Sequence, residues 1–110
     1  MHESTEQKIL GLIGLAARAG QILYGKKSLR SYIKSYQNKK LIIIPRDTGA
    51  RVKLDIIKHC EIFDVPYIEI NKNKFEFAKL LGKVNVSIIG IKNENIVEGI
   101  LKLISSGGVL

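Results

Sequence analysis

The chain has 110 residues, 45% of them hydrophobic and 25% charged, with one cysteine and a formal charge of +8. That is enough chain for one packed core without a disulfide or a metal, and a lone cysteine excludes an internal disulfide. No stretch reaches the roughly 18 uninterrupted apolar residues of a membrane span, and Met1-His2-Glu3-Ser4 does not resemble a signal peptide, because the apolar residues that follow are broken by Gly11 and Gly14 and lead into Arg18; a cytoplasmic protein is expected.

Ser4 and Gln7 have the spacing of a capping box and open a helix that carries Ile9, Leu10, Leu12, Ile13, Ala16 and Ala17. Apolar residues cover much of its surface, so it is expected to be well buried. Gly11 and Gly14 each weaken it by about 1 kcal/mol relative to Ala. Close packing against another element is their expected use, since no strand precedes them as a phosphate-binding glycine loop requires. Gly20 holds the place of a helix C′ residue. Residues 21–24 read as a strand. Gly25 then turns the chain into a helix over 26–36, with Leu29, Tyr32, Ile33 and Tyr36 at i, i+3, i+4 and i+7 facing the core. After the polar turn Gln37-Asn38-Lys39-Lys40, the run Leu41-Ile42-Ile43-Ile44 reads as a central strand covered on both faces.

Pro45-Arg46-Asp47-Thr48-Gly49 opens a loop. A helix over 50–63 follows, with Val52, Ile56, Ile57 and Cys60 inward. Asp64-Val65-Pro66 turns into a strand over 67–70, where Ile68 and Ile70 alternate with Tyr67 and Glu69, as on an edge with one wet face. Asn73 and Glu76 form a second capping pair for a short helix with Phe75, Phe77, Leu80 and Leu81, ended by Gly82. Lys83-Val84-Asn85 leads into a strand over 86–91. Asn93 caps a last helix whose stripe is Ile96, Val97, Ile100, Leu101 and Ile104, and residues 105–110 read as a frayed tail. Strands alternating with helices imply the α/β class: a single-domain, three-layer α/β/α sandwich over 1–110, built on a four-stranded mixed sheet.

Charge is one-sided. From Gln7 through Arg46 there is no Asp or Glu, while Lys8, Arg18, Lys26, Lys27, Arg30, Lys34, Lys39, Lys40 and Arg46 all fall there. In a compact chain this is a footprint for nucleic acid. A membrane-surface helix would need an exposed apolar face, and here the apolar faces are needed for the core. The sharpest feature is Gly25-Lys26-Lys27-Ser28-Leu29-Arg30. A helix start leaves backbone N–H groups without intrahelical partners, which suits phosphate oxygens. Lys26, Lys27 and Arg30 share one side of the helix there. Cations at that end oppose the macrodipole by a few tenths of a kcal/mol or more, so an anion is expected to sit there; a plain solvated basic face is the alternative. Lys34 and Arg46 extend the candidate surface.

No catalytic constellation stands out: there is no nucleophile elbow, no P-loop and no metal-ligand spacing. Cys60 reads as a small buried residue, and Asp47 as a loop residue making an Asx-turn rather than a catalytic acid. Neither a cofactor nor a small-molecule substrate is expected.

With the elements placed, Leu15-Ala16-Ala17-Arg18-Ala19-Gly20 followed by a helix-opening Gly25 resembles the start of the YlxQ-type bacterial proteins. These are members of the ribosomal-protein family that binds kink-turn RNA, a fold group that also takes in Pelota and release-factor relatives. The resemblance continues through Lys40-Leu41-Ile42-Ile43-Ile44 with Asp47, through Cys60 with Val65-Pro66-Tyr67, and through Leu81-Gly82-Lys83, and so covers nearly the whole chain. It implies the same fold and non-catalytic binding of structured RNA, bent or looped, with ribosomal RNA or the ribosome as the expected setting. Carried over position by position, the implied RNA surface is Gly25, Lys26, Lys27, Ser28 and Arg30 at the start of the second helix. To these it adds Lys83, Val84 and Asn85 in the loop before the last strand, with Val86 at its edge.

A kink-turn bends at a three-nucleotide bulge beside sheared G·A pairs, and such RNA is recognised by shape and splayed bases. The strongest kink-turn binders of the family carry Asn-Glu after the glycine, where Lys27 and Ser28 stand here. Lys is donor-only and Ser a short hydroxyl, so phosphate contacts are expected to dominate, with Lys27 able to reach guanine O6 or N7. A protein-interaction module on the ribosome, or less readily a small α/β enzyme, are the alternatives.

Overall fold

The computed structural model describes residues 4–105. In chain order its elements are α1 (Thr5–Arg18), β1 (Ile22–Tyr24), α2 (Lys26–Lys34), β2 (Ile42–Pro45), α3 (Ala50–Ile62), β3 (Tyr67–Ile70), α4 (Lys74–Leu80), β4 (Ile89–Ile91) and α5 (Glu94–Ser105). The sheet order is β1-β4-β2-β3. β4 runs antiparallel to both β1 and β2, and β2 is parallel to β3, so the sheet is mixed. It follows that β1, β2 and β3 all end where β4 begins. One end of the sheet therefore gathers the β1–α2 turn, the β2–α3 loop, the β3–α4 loop and the segment leading into β4.

Alternation along β2 makes the three layers. Leu41 and Ile43 pack with Ile9 and Ile13 of α1, Phe77 of α4 and Val97 and Ile100 of α5. Ile42 and Ile44 face the other way, onto Leu29, Tyr32 and Ile33 of α2 and Ile56 and Cys60 of α3. Each such side chain, fully buried, contributes about 1.5–3 kcal/mol. α2 is held to the sheet by Tyr32. Its hydroxyl donates to Ile91 O (2.6 Å) and accepts from Leu41 N (2.8 Å), bridging the two inner strands. Burial pushes the phenol pKa up to about 12. The ring lies against Gly90, where a Cβ would stand 3.0 Å from two ring carbons; α2 seats this closely because residue 90 has no side chain.

Both capping boxes are formed, Ser4 with Gln7 and Asn73 with Glu76, and Asn93 Oδ1 accepts from Ile96 N at the start of α5. Other expectations are corrected. α2 stops at Lys34, so Tyr36 is fully exposed rather than in the core. The cause is local: Ser35 is extended, and the Lys40 ammonium donates to Ile33 O and Ser35 O, satisfying the end carbonyls. Val52 is 54% exposed and stands at a cleft instead of in the core. β4 begins only at Ile89, because its last partners are Tyr24 on β1 and Ile43 on β2 and the stretch before it has no ladder.

Gly11 is exposed, and a Cβ there would meet nothing within 4 Å. Gly14 is buried near Leu80 with ordinary room for a Cβ; the tighter approach between α1 and α5 is at Gly99, facing Leu12. Asp47 makes no Asx-turn but accepts from Lys74 N (2.7 Å), tying the β2–α3 loop to α4. Ser105, expected in the tail, is the last residue of α5; the rest of that tail, 106–110, lies outside the described residues.

Candidate nucleic-acid interface

Gly25 is the N-cap of α2, with φ 86° and ψ 147° and no side-chain cap. That backbone region is one L-residues rarely adopt. A Cβ would meet nothing within 4 Å, so the glycine is required by its backbone angle and not by a close neighbour. The helix opens with Leu29 N donating to Gly25 O (2.9 Å), which leaves the preceding N–H groups without a helical partner. Lys26, Lys27 and Ser28 are exposed around them, and no acidic residue falls in the first turn. Dipole, orphan donors and two ammonium groups together suit phosphate oxygens.

Arg30 differs from its neighbours. Its guanidinium donates to Asp55 Oδ2 on α3 (3.1 Å), and that bond holds the Asp55 carboxyl below the usual carboxylate range. Arg30 is thus a brace between α2 and α3, with its Nε buried and unpaired. Lys34 shares a shallow groove with Lys26, Lys27, Arg30 and Ser31 along the outside of α2.

The second predicted stretch lies beside the first. The Lys83 ammonium sits 5.1 Å from the centre of the Tyr24 ring, the residue just before Gly25, a cation–π distance. Val84 is 95% exposed and Asn85 is exposed, whereas Val86 is buried and belongs to the core under the loop. Between these parts lies an open cleft of about 610 Å3. Gly25, Lys26 and Leu29 form one side, Val52, Asp55 and Ile56 of α3 the second, and the 85–88 segment the third. The wall area is mostly apolar, with Lys26, Arg51, Asp55, Asn85 and Ser87 as polar points.

Arg46 is not brought to this cleft. It follows β2, on the far side of β4 from β1, and its guanidinium donates to Asn71 Oδ1 (3.2 Å). The α3 wall of Arg51, Val52 and Asp55 was missed in the sequence. Val52 had been placed among the inward residues of α3, so the sequence held no signal for this wall. Among the described residues, none of Lys26, Lys27, Lys34 or Lys83 stands in an ion pair, while Arg30, Lys39, Lys53 and Lys102 do. No three His, Cys, Asp or Glu side chains group as metal ligands among them, and no helix is long and apolar enough to cross a membrane.

The molecule is thus a small α/β/α sandwich in which an uncapped cationic helix start and an exposed loop stand beside one cleft, an arrangement suited to binding an anionic partner. The chain belongs to the ribosomal protein L7Ae/L30e/S12e/Gadd45 family, whose model matches residues 7–98. It is similar to the RNA-binding protein YlxQ of Enterococcus faecium, 26% identical over 106 residues that span 90% of this chain and 100% of that one. Among solved structures it is similar to a protein of unknown function from Bacillus halodurans, with a TM-score of 0.79 and 28% identity over 89% of this chain and 97% of that one. The fold is also that of the Giardia lamblia 15.5-kDa RNA-binding protein, with a TM-score of 0.72 and 20% identity over 96% and 92% of the two chains. The resemblance seen in the sequence to YlxQ-type members of this family is borne out.

Proposed function

We propose that this chain acts as a single, non-catalytic RNA-binding domain that grips structured RNA at the end of its sheet, with ribosomal RNA in the cytoplasm as its setting. The observation that carries this reading is the meeting of two separate stretches, 25–28 and 83–85, over one cleft, with Lys83 reaching back onto Tyr24. Membership of the family and similarity to a relative named as RNA-binding support it. The chemistry divides naturally. Phosphate oxygens take the N–H groups of the α2 start and the ammonium groups of Lys26, Lys27 and Lys83. A splayed base enters the cleft, its face against Val52, Ile56 and Leu29 and its edge toward Asn85 or Asp55. Val84, standing clear of the surface, packs against unstacked nucleotides. In a kink-turn the opened groove admits the helix start, and Lys27 reaches guanine O6 or N7.

The test is a pair of transcripts, one with a kink-turn and one with its bulge deleted, titrated in a gel shift. Lys26→Ala combined with Lys27→Ala is expected to weaken binding at least about tenfold at moderate salt. Its thermal unfolding should stay unchanged, because both side chains are exposed. Equal affinity of the double variant and the unmodified protein would remove the site. Equal affinity for the two transcripts would remove the kink-turn as the preferred shape.

A further inference from the structure

Helix α4 has two phenylalanines with opposite fates. Phe77 is buried in the core, while Phe75 is 76% exposed. Phe75 and Lys79 are one turn apart, away from the buried Phe77 and Ala78. Lys72 and Lys79 line a common shallow hollow with Glu76, Leu80 and Leu10. The two carboxylates of this region are already engaged by backbone donors: Glu76 Oε1 accepts from Asn73 N (3.1 Å) and Asp47 Oδ1 from Lys74 N (2.7 Å). Among the described residues, Lys72, Lys74, Lys79 and Lys83 form no ion pair.

Backbone hydrogen bonds tie α4 to the Lys83 loop beside the cleft, and the segment before α4 to the Arg46 loop. Lys83 N donates to Ala78 O on α4 (2.8 Å), and the Lys83 ammonium lies over Tyr24. Arg46 N donates to Lys72 O (3.1 Å), and the Arg46 side chain to Asn71. Cations thus stand at the start of α2, over Tyr24, along α4 and in the loop after β2. An uncovered aromatic ring stands among them. A ring flanked by ammonium groups fits a nucleotide better than an apolar partner: the ring offers its face to a base, and the lysines take the phosphates on either side.

We propose that α4 is a second RNA contact, at which Phe75 stacks an unpaired nucleotide leaving the structured element held at the cleft, while Lys72, Lys74 and Lys79 take the flanking phosphates. This rests on the RNA reading of the α2 start. The test compares a blunt-ended kink-turn hairpin with the same hairpin bearing a short single-stranded uridine extension. In the unmodified protein the extension is expected to tighten binding by about five- to tenfold, the yield of one base stack. Phe75→Ala, which keeps its fold because the ring is exposed, loses that gain and binds the blunt hairpin as before; Phe75→Tyr keeps the gain. Lys26→Ala with Lys27→Ala weakens both transcripts alike.

An undiminished gain in Phe75→Ala, or none in the unmodified protein, overturns the α4 contact and leaves the cleft reading standing. A surface that serves a protein partner gives the same two-transcript ratio in the unmodified protein, Phe75→Ala and Phe75→Tyr, and that result also overturns it. Failure of the unmodified protein to bind either transcript overturns both readings.

Discussion

At the scale of single residues, the most informative pair is Tyr32 and Gly90. The inward direction of Tyr32 followed from its spacing with Leu29 and Ile33. The hydroxyl's partners and the missing side chain at residue 90 did not, because they lie on strands distant in sequence. Tyr32→Phe leaves Leu41 N and Ile91 O without this partner inside the protein. It is expected to lower unfolding free energy by about 1–3 kcal/mol, measurable by urea denaturation at unchanged m-value. A loss below a few tenths would mean the bridge contributes nothing. Cys60 was read as a small buried residue and is one: it is inaccessible, and burial pushes its thiol up to about 11. Tyr36 and Val52 show where periodicity misleads. Tyr36 continued the stripe of α2, but a lysine from four residues on ended the helix before it. Val52 continued the stripe of α3, but the helix's first turn overhangs the cleft.

At the scale of elements, local chemistry was legible and partnership was not. The two capping boxes lie within four residues each and formed as read. The start of β4 was misplaced because a strand ends where its neighbours end, and β1 gives way to α2 at Gly25. Arg30 was read as a contact for RNA, and its guanidinium is also paired with Asp55, an ion pair between helices that no periodicity discloses. The loop of Lys83, Val84 and Asn85 was placed correctly, and its tip is the exposed Val84. Val84→Asp puts a carboxylate where phosphate is expected and removes an apolar contact. RNA affinity should fall by about tenfold or more in the same gel shift, with no change in melting temperature. Full affinity in that variant would detach the loop from the interface.

At the scale of the whole molecule, the α/β/α sandwich could be read from the order of elements, but the strand order β1-β4-β2-β3 could not. That order brings Gly25 and Lys83 to one end and sets Arg46 apart, toward the β3 edge. The one-sided charge was plain in the sequence; that Lys26, Lys27, Lys34 and Lys83 are among the cations left out of ion pairs, while Arg30, Lys39 and Lys53 are in them, emerges only from the structure. Such a surface binds by counterion release, so affinity should fall linearly on a log–log plot against salt. The measurement that tests this most directly is that slope for the kink-turn transcript, in the unmodified protein and in Lys26→Ala/Lys27→Ala. The unmodified protein should give a slope of about −3 or steeper, and the double variant one shallower by about 1.5, the share of two phosphate contacts. A flat slope in the unmodified protein, or the same slope in both, would contradict a phosphate grip at the start of α2.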